Sequence, residues 1–256
     1  MEMTTIAPIR AFKDNYIWCL RRGTNAAVVD PGDAGPVFDY LRAEGLQLTA
    51  ILNTHHHADH VGGNADLLSK YNVPVFGPAR ENIPGVTQKL AEGDEIEVPE
   101  IGVHLRILDI PGHTAGHIAC FGDGVLFCGD TLFSCGCGRL FEGTPAQMHS
   151  SLSKLADLPP ETLVYCGHEY TLANLRFADA AEPGNPALAE RRATARAALD
   201  RGKPTLPSTI GVERATNPFL RVSEASLVTS ASRYAGRTLT NPVEVFAALR
   251  KWKDGF

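Results

Sequence analysis

Thr54-His55-His56-His57-Ala58-Asp59-His60 is the stretch on which the reading of this chain turns. It follows directly on Ala50-Ile51-Leu52-Asn53, an apolar run of strand type, and leads into residues of helical texture. In extended or turning backbone, residues i and i+2 point to the same side, so His55 and His57 are expected to converge on one ion while His56 points elsewhere. Asp59 and His60, at the start of the next helix, then offer an oxygen and a nitrogen to a second ion. Imidazole and carboxylate are the donors that zinc, iron and manganese accept. The bland alternative is a solvated polar turn or a tag-like histidine run, and the position between a buried strand and a helix argues against it.

Outward from this cluster, three other places share a local pattern of apolar strand, glycine and ligand-capable residue: Ile110-Pro111-Gly112-His113-Thr114, Cys128-Gly129-Asp130-Thr131 and Cys166-Gly167-His168-Glu169. Strand ends that open onto glycine-relaxed loops are where α/β proteins commonly place their sites. A single histidine beside glycine is more often structural, so each gains weight only in the company of the first cluster. Strand-like runs occur at 15–21, 26–29, 49–53, 73–76, 101–110, 118–121, 125–128 and 162–166, with helix-like stretches near 36–44, 59–71 and 145–157. This order predicts a layered α/β domain. From Thr171 the strand-like runs stop and Ala-, Leu- and Arg-rich helical segments take over, including 185–201 and 242–251. The expected division is an α/β domain over 1–172 and a smaller α-helical domain over 173–256. A faint twofold echo, Val29-Asp30-Pro31-Gly32 against Gly129-Asp130-Thr131, hints at internal duplication.

Composition narrows the function. The chain has 256 residues, 44% hydrophobic and 21% charged, which excludes disorder, a collagen-like fibre and a bare coiled coil. Its 24 basic and 29 acidic residues give a net charge of −5, so it lacks the electrostatic footprint of a nucleic-acid binder. No apolar run approaches the ~18 residues of a membrane span, and the N-terminal residues lack the form of a signal peptide. A cytoplasmic protein, a monomer with neither nucleic-acid nor membrane partners, is the expectation. The six cysteines show no CxxC pairs and read as reduced core thiols.

HxHxDH over 55–60, followed by single His, Asp and His at strand ends, resembles the metallo-β-lactamase superfamily. The resemblance implies an αββα sandwich with a two-metal site. Further segments extend it: Val61-Gly62-Gly63-Asn64, Gly129-Asp130-Thr131-Leu132-Phe133, Gly136-Cys137-Gly138-Arg139, Gly167-His168-Glu169-Tyr170-Thr171 and Asn217-Pro218-Phe219-Leu220-Arg221. Together these resemble the glyoxalase II family, the hydroxyacylglutathione hydrolases, over essentially the whole chain. The first motif identifies the superfamily; the later ones, with the helical tail, point to the family.

What the resemblance implies can be stated residue by residue. His55, His57 and His113 would hold one divalent metal ion, Asp59, His60 and His168 a second, and Asp130 would bridge them. Zinc is the first expectation, with iron and manganese as alternatives. Two such ions share a water and lower its pKa, giving a bridging hydroxide that attacks a thioester carbonyl. Asp130 and Asp59 are the catalytic carboxylates in this scheme. A thiol of free pKa about 8.5 departs as thiolate, so a dedicated general acid is optional. The implied reaction converts S-D-lactoylglutathione, and other S-2-hydroxyacylglutathiones, to glutathione and D-lactate, the second step of methylglyoxal detoxification. By the same resemblance glutathione is contacted by Arg139, Phe141, Tyr170, Arg250 and Lys253. Related enzymes often carry Lys at the position of Arg139 and Tyr at that of Phe141; Arg changes the geometry of the charge and Phe removes a hydroxyl.

His56 and His117 stand as candidate hydrogen-bond partners of ligands, and Asp30 as either the orienter of a ligating histidine or a turn former. His104 and His149 have no such context. A β-lactamase would be exported, and a tRNA-processing nuclease would carry more positive charge. An iron-dependent glutathione persulfide dioxygenase is the stronger rival, but it typically lacks the complete helical tail. A non-catalytic metal-binding module is the remaining class.

Overall fold

The computed structural model describes residues 3–256, which divide into two compact units. The first runs to Asp109 and resumes over Thr114–Gly129; the second comprises Ile110–His113 and Asp130–Phe256.

The first unit is built on a six-stranded sheet in chain order. Its strands are β1 (Thr5–Ala11), β2 (Asn15–Arg22), β3 (Asn25–Val29), β4 (Gln47–Leu52), β5 (Val75–Pro78) and β6 (Gln88–Leu90). The first three pair antiparallel, and β3 to β6 run parallel. Helix α1 (Ala34–Glu44) makes the β3–β4 crossover; Asp33 caps it by accepting from the Gly35 amide, and Gly45 ends it in the left-handed region. Side chains alternate across the sheet with period two. Ile9, Ile17, Cys19, Ala26, Val28 and Ile51 pack with Val37 and Leu41 of α1 and with Leu67 of α3 (Asn64–Lys70). On the other parity Trp18, Leu20, Ala27, Val29, Ala50 and Leu52 are also buried, so both faces are covered. The helix expected at 59–71 is two pieces, α2 (Ala58–Val61) and α3, because the chain turns at Gly62-Gly63. Four antiparallel strands complete the unit: β7 (Glu95–Glu97), β8 (His104–Asp109), β9 (Ile118–Gly122) and β10 (Val125–Gly129).

The second unit opens with a small hairpin, β11 (Leu132–Phe133) and β12 (Gly136–Cys137). Helix α4 (Pro145–Ala156) begins with a capping box between Thr144 and Gln147 and a proline in its first turn. Then come β13 (Leu163–Cys166), α5 (Thr171–Ala181), α6 (Pro186–Asp200), β14 (Ser208–Thr209), α7 (Ile210–Thr216), α8 (Ala225–Ala235) and α9 (Pro242–Asp254). Strand runs do not quite stop at Thr171: β14 pairs with β13, too short to register as a pattern in sequence. Asn217 holds the hairpin turn by donating to the Phe133 and Gly136 carbonyls. All six cysteines are buried and none forms a disulfide, and burial pushes the Cys120 thiol up to about 12, as expected of reduced core thiols.

Candidate metal centre and substrate residues

Parallel pairing of β3 and β4 puts Val29 opposite Leu52, so both strands deliver their next residues to the same end of the sheet. Asp30 thereby meets Thr54. Its carboxylate accepts from the Thr54 amide at 2.8 Å and the Thr54 hydroxyl at 2.7 Å, and lies 3.1 Å from His60 Nδ1. The Thr54 hydroxyl is in turn 3.0 Å from His55 Nδ1. Both imidazoles are therefore tethered through Nδ1, which assigns Nε2 to any ion. Ligand-type atoms of Asp30, His55 and His60 all lie within 4.8 Å of one another, and all three residues are buried. His57 is half-buried, its ring edge-on to His55 with centroids 4.8 Å apart. His56 turns elsewhere, placing Nδ1 2.9 Å from Glu81. Asp59 is half-buried and held through Oδ2 by the Asn15 side chain at 3.0 Å. His117 is buried and stacks on His55 with centroids 4.5 Å apart. Gly129 has a positive φ, and a Cβ there would stand 2.3 Å from the Thr54 hydroxyl and 2.8 Å from the His117 ring, so only glycine permits this approach.

In the second unit, Asp130 sits between His113 and His168. His113 Nε2 is 3.6 Å and His168 Nε2 3.2 Å from the same Asp130 oxygen, Oδ2. The His113 Nδ1 is 2.8 Å from the Arg139 carbonyl, which fixes its outward nitrogen as Nε2. All three residues are buried. The donor set in both units consists of imidazole nitrogens and carboxylate oxygens, with His55, His60 and His113 braced through Nδ1, and this chemistry fits zinc, iron or manganese.

The expected glutathione contacts all fall in the second unit. Phe141 is 63% exposed and meets the His113 ring edge-on at 5.2 Å. Tyr170 stacks on His168, centroids 4.8 Å apart and planes at 4°. Arg139 is exposed, with Nε 3.7 Å from Asp254. On α9, Arg250 is buried; it donates to the Cys137 carbonyl at 2.8 Å and pairs with Asp254 at 3.0 Å. Lys253 lies on the same side of α9, its ammonium 5.3 Å from the Phe177 ring centroid. Burial, reinforced by the Arg250 charge, lowers its pKa to about 8.

Sequence reasoning missed Asn15 and Glu81. Neither stands in a motif, and each reaches its partner across more than 20 residues.

Residues 12–168 match the metallo-beta-lactamase superfamily. Among solved structures, ETHE1 from Myxococcus xanthus shares the fold at a TM-score of 0.65 and 23% identity, covering 98% of both chains. TTHA1623, solved in a di-iron-bound form, gives a TM-score of 0.56 at 28% identity over 86% of this chain and 100% of its own. The chain is a metallo-beta-lactamase-fold protein with a C-terminal helical region. Residues 169–256 match the hydroxyacylglutathione hydrolase C-terminus. Hydroxyacylglutathione hydrolase of Nitrosomonas europaea is 57% identical over 99% of this chain and 97% of its own length, and that of Alkalilimnicola ehrlichii 61% identical over 98% and 99%. Within its superfamily, the chain belongs to the hydroxyacylglutathione hydrolase family.

Proposed function

We propose that this protein is a thioester hydrolase that cleaves S-D-lactoylglutathione and related S-2-hydroxyacylglutathiones to glutathione and the free 2-hydroxy acid. The observation that carries this reading is full-length identity of 57% and 61% to proteins named hydroxyacylglutathione hydrolase, which also favours it over a persulfide dioxygenase. We assign His55, His57 and His113 to one divalent ion, Asp59, His60 and His168 to a second, and Asp130 to both. Zinc is the first candidate, with iron or manganese able to replace it. Such ions, when bound, supply Lewis acidity that activates water at neutral pH and polarises a carbonyl.

The protein's own residues supply orientation and recognition. Asp30 and Thr54 hold His60 and His55 through Nδ1, which sets the direction in which each Nε2 points. Asn15 fixes the Asp59 carboxylate before substrate arrives. Arg139, Arg250 and Lys253 provide positive charge for the carboxylates of glutathione, and Phe141 and Tyr170 offer aromatic faces beside His113 and His168. A thiolate leaving group needs little protonation, which agrees with a site built from ligands and cations. The protein is expected to work as a cytoplasmic monomer.

The test is elemental analysis of the purified protein on the same sample assayed for loss of the thioester absorbance of S-D-lactoylglutathione. Turnover with about two ions per chain is expected. A metal-loaded protein that leaves the thioester intact but consumes oxygen with glutathione persulfide would overturn the proposal.

A further inference from the structure

Glu81 lies in the turn after β5, outside every motif, yet its side chain is only 3% exposed. A buried carboxylate is costly unless its oxygens are satisfied. Those of Glu81 are divided between two loops. Oε2 faces His56 Nδ1 at 2.9 Å, in the loop that carries His55 and His57. Oε1 accepts from the Thr114 hydroxyl in a short hydrogen bond and from the Gly116 amide at 3.2 Å, in the loop that follows His113.

Packing agrees with the hydrogen bonds. A Cβ on Gly116 would stand 2.6 Å from Glu81 Cγ and 3.1 Å from the Arg80 carbonyl carbon, so the turn at 80–81 is pressed against this loop. The neighbouring Arg80 reaches Asp109, the last residue of β8, at 3.3 Å. Arg80 and Glu81 thus grip the chain on either side of Ile110-Pro111-Gly112-His113.

We infer that Glu81 is a positioning residue: one buried carboxylate that sets the register of the His55–His57 loop against the chain leaving His113. The inference rests on the metal-ligand assignment above. Holding His56 fixes the peptide planes on both sides of it, and those planes aim His55 and His57. Holding Thr114 and Gly116 fixes the exit of the segment that bears His113. Glu81 touches neither ion nor substrate; it narrows the range of ligand directions, and removing it should loosen the metal before it unfolds the chain.

The experiment compares wild type with Glu81→Ala, Glu81→Gln and His56→Ala. Zinc affinity is read by competition with a chromophoric chelator, melting is measured on metal-free protein, and KM and kcat on the reloaded enzyme. Glu81→Ala is expected to weaken zinc binding by about 10- to 100-fold, the usual scale for an outer partner of a metal ligand. Its metal-free melting midpoint should stay within a few degrees of wild type, and at limiting zinc kcat should fall with KM unchanged. Glu81→Gln retains an oxygen for Thr114 and Gly116 and should recover part of the affinity. His56→Ala removes the Oε2 contact and the edge-on contact of His56 with the His57 ring, leaves the Oε1 contacts in place, and should fall between wild type and Glu81→Ala. Unchanged zinc affinity in both Glu81 variants would overturn the inference, as would a melting loss that accounts for the whole effect in Glu81→Gln. Wild-type protein that binds zinc but leaves lactoylglutathione intact would instead defeat the functional reading, while the zinc titrations would still decide the role of Glu81.

Discussion

At the scale of single residues, the proposed function divides between groups assigned to an ion and groups that aim them. Asp130 is the pivot, because one of its oxygens lies within 3.6 Å of two imidazoles that belong to different proposed ions. Asp130→Ala is expected to lower bound metal from about two ions per chain to one or fewer and to abolish measurable turnover; elemental analysis with the thioester assay checks this. Lys253 gives a prediction with a pH signature. Its lowered pKa of about 8 means the cation is present below that pH and lost above it. KM for the glutathione thioester should therefore rise as pH passes through about 8, with kcat flat. Lys253→Met should raise KM roughly 10- to 100-fold at pH 7, the scale of a hydrogen bond to a charged group, and remove that inflection. The proposed ligands His55, His57 and His60 were legible in sequence because they sit in one short, crowded motif, and His113 and His168 because each follows an apolar strand and a glycine. Asn15 and Glu81 were not, since a lone Asn or Glu carries no spacing signal.

At the scale of elements, the C-terminal helices do more than carry the cations proposed to meet substrate. Helix α7 presents Glu213, fully buried, whose carboxylate accepts from the Cys135 amide, Asn217 and Ser208. Cys135 lies in the turn of the 132–137 hairpin, and Arg250 of α9 donates to Cys137 on its second strand. These helices therefore fasten the 132–137 hairpin, which lies between Asp130 and Arg139. Burial raises the Glu213 pKa above the ordinary carboxyl range. The folded state then holds a proton that the unfolded chain sheds, so its stabilising contribution is full below the unfolded pKa and declines as pH rises through the raised value. Glu213→Gln should remove this part of the pH dependence and leave the protein at least as stable as wild type at pH 8, measured by chemical denaturation. The helix starts at Pro145, Pro186 and Pro242 were visible within a residue because proline suits the first turn. The break at Gly62-Gly63 was hidden, because apolar spacing continues across it.

For the whole molecule, both compact units carry proposed ligands, while the residues expected to recognise glutathione all belong to the second. No helix among the described residues is long and apolar enough to cross a membrane. Removal of metal should lower apparent stability by mass action, on the order of 4 kcal/mol for an ion held at a thousand times its dissociation constant. Chelator-treated protein should melt at lower temperature, and added zinc should restore the midpoint. The sequence by itself determined the histidine and aspartate motif over 55–60, the α/β texture followed by helices, and the family resemblance, since these are written in local periodicity and short spacing. Only the tertiary structure decided that Asp30 braces Thr54 and His60, that Glu81 links two loops, and that Arg250 is buried against Cys137, 113 residues away. Those partners are chosen by strand order and packing, and no local pattern in the chain encodes which distant carboxylate or carbonyl a buried polar group will meet.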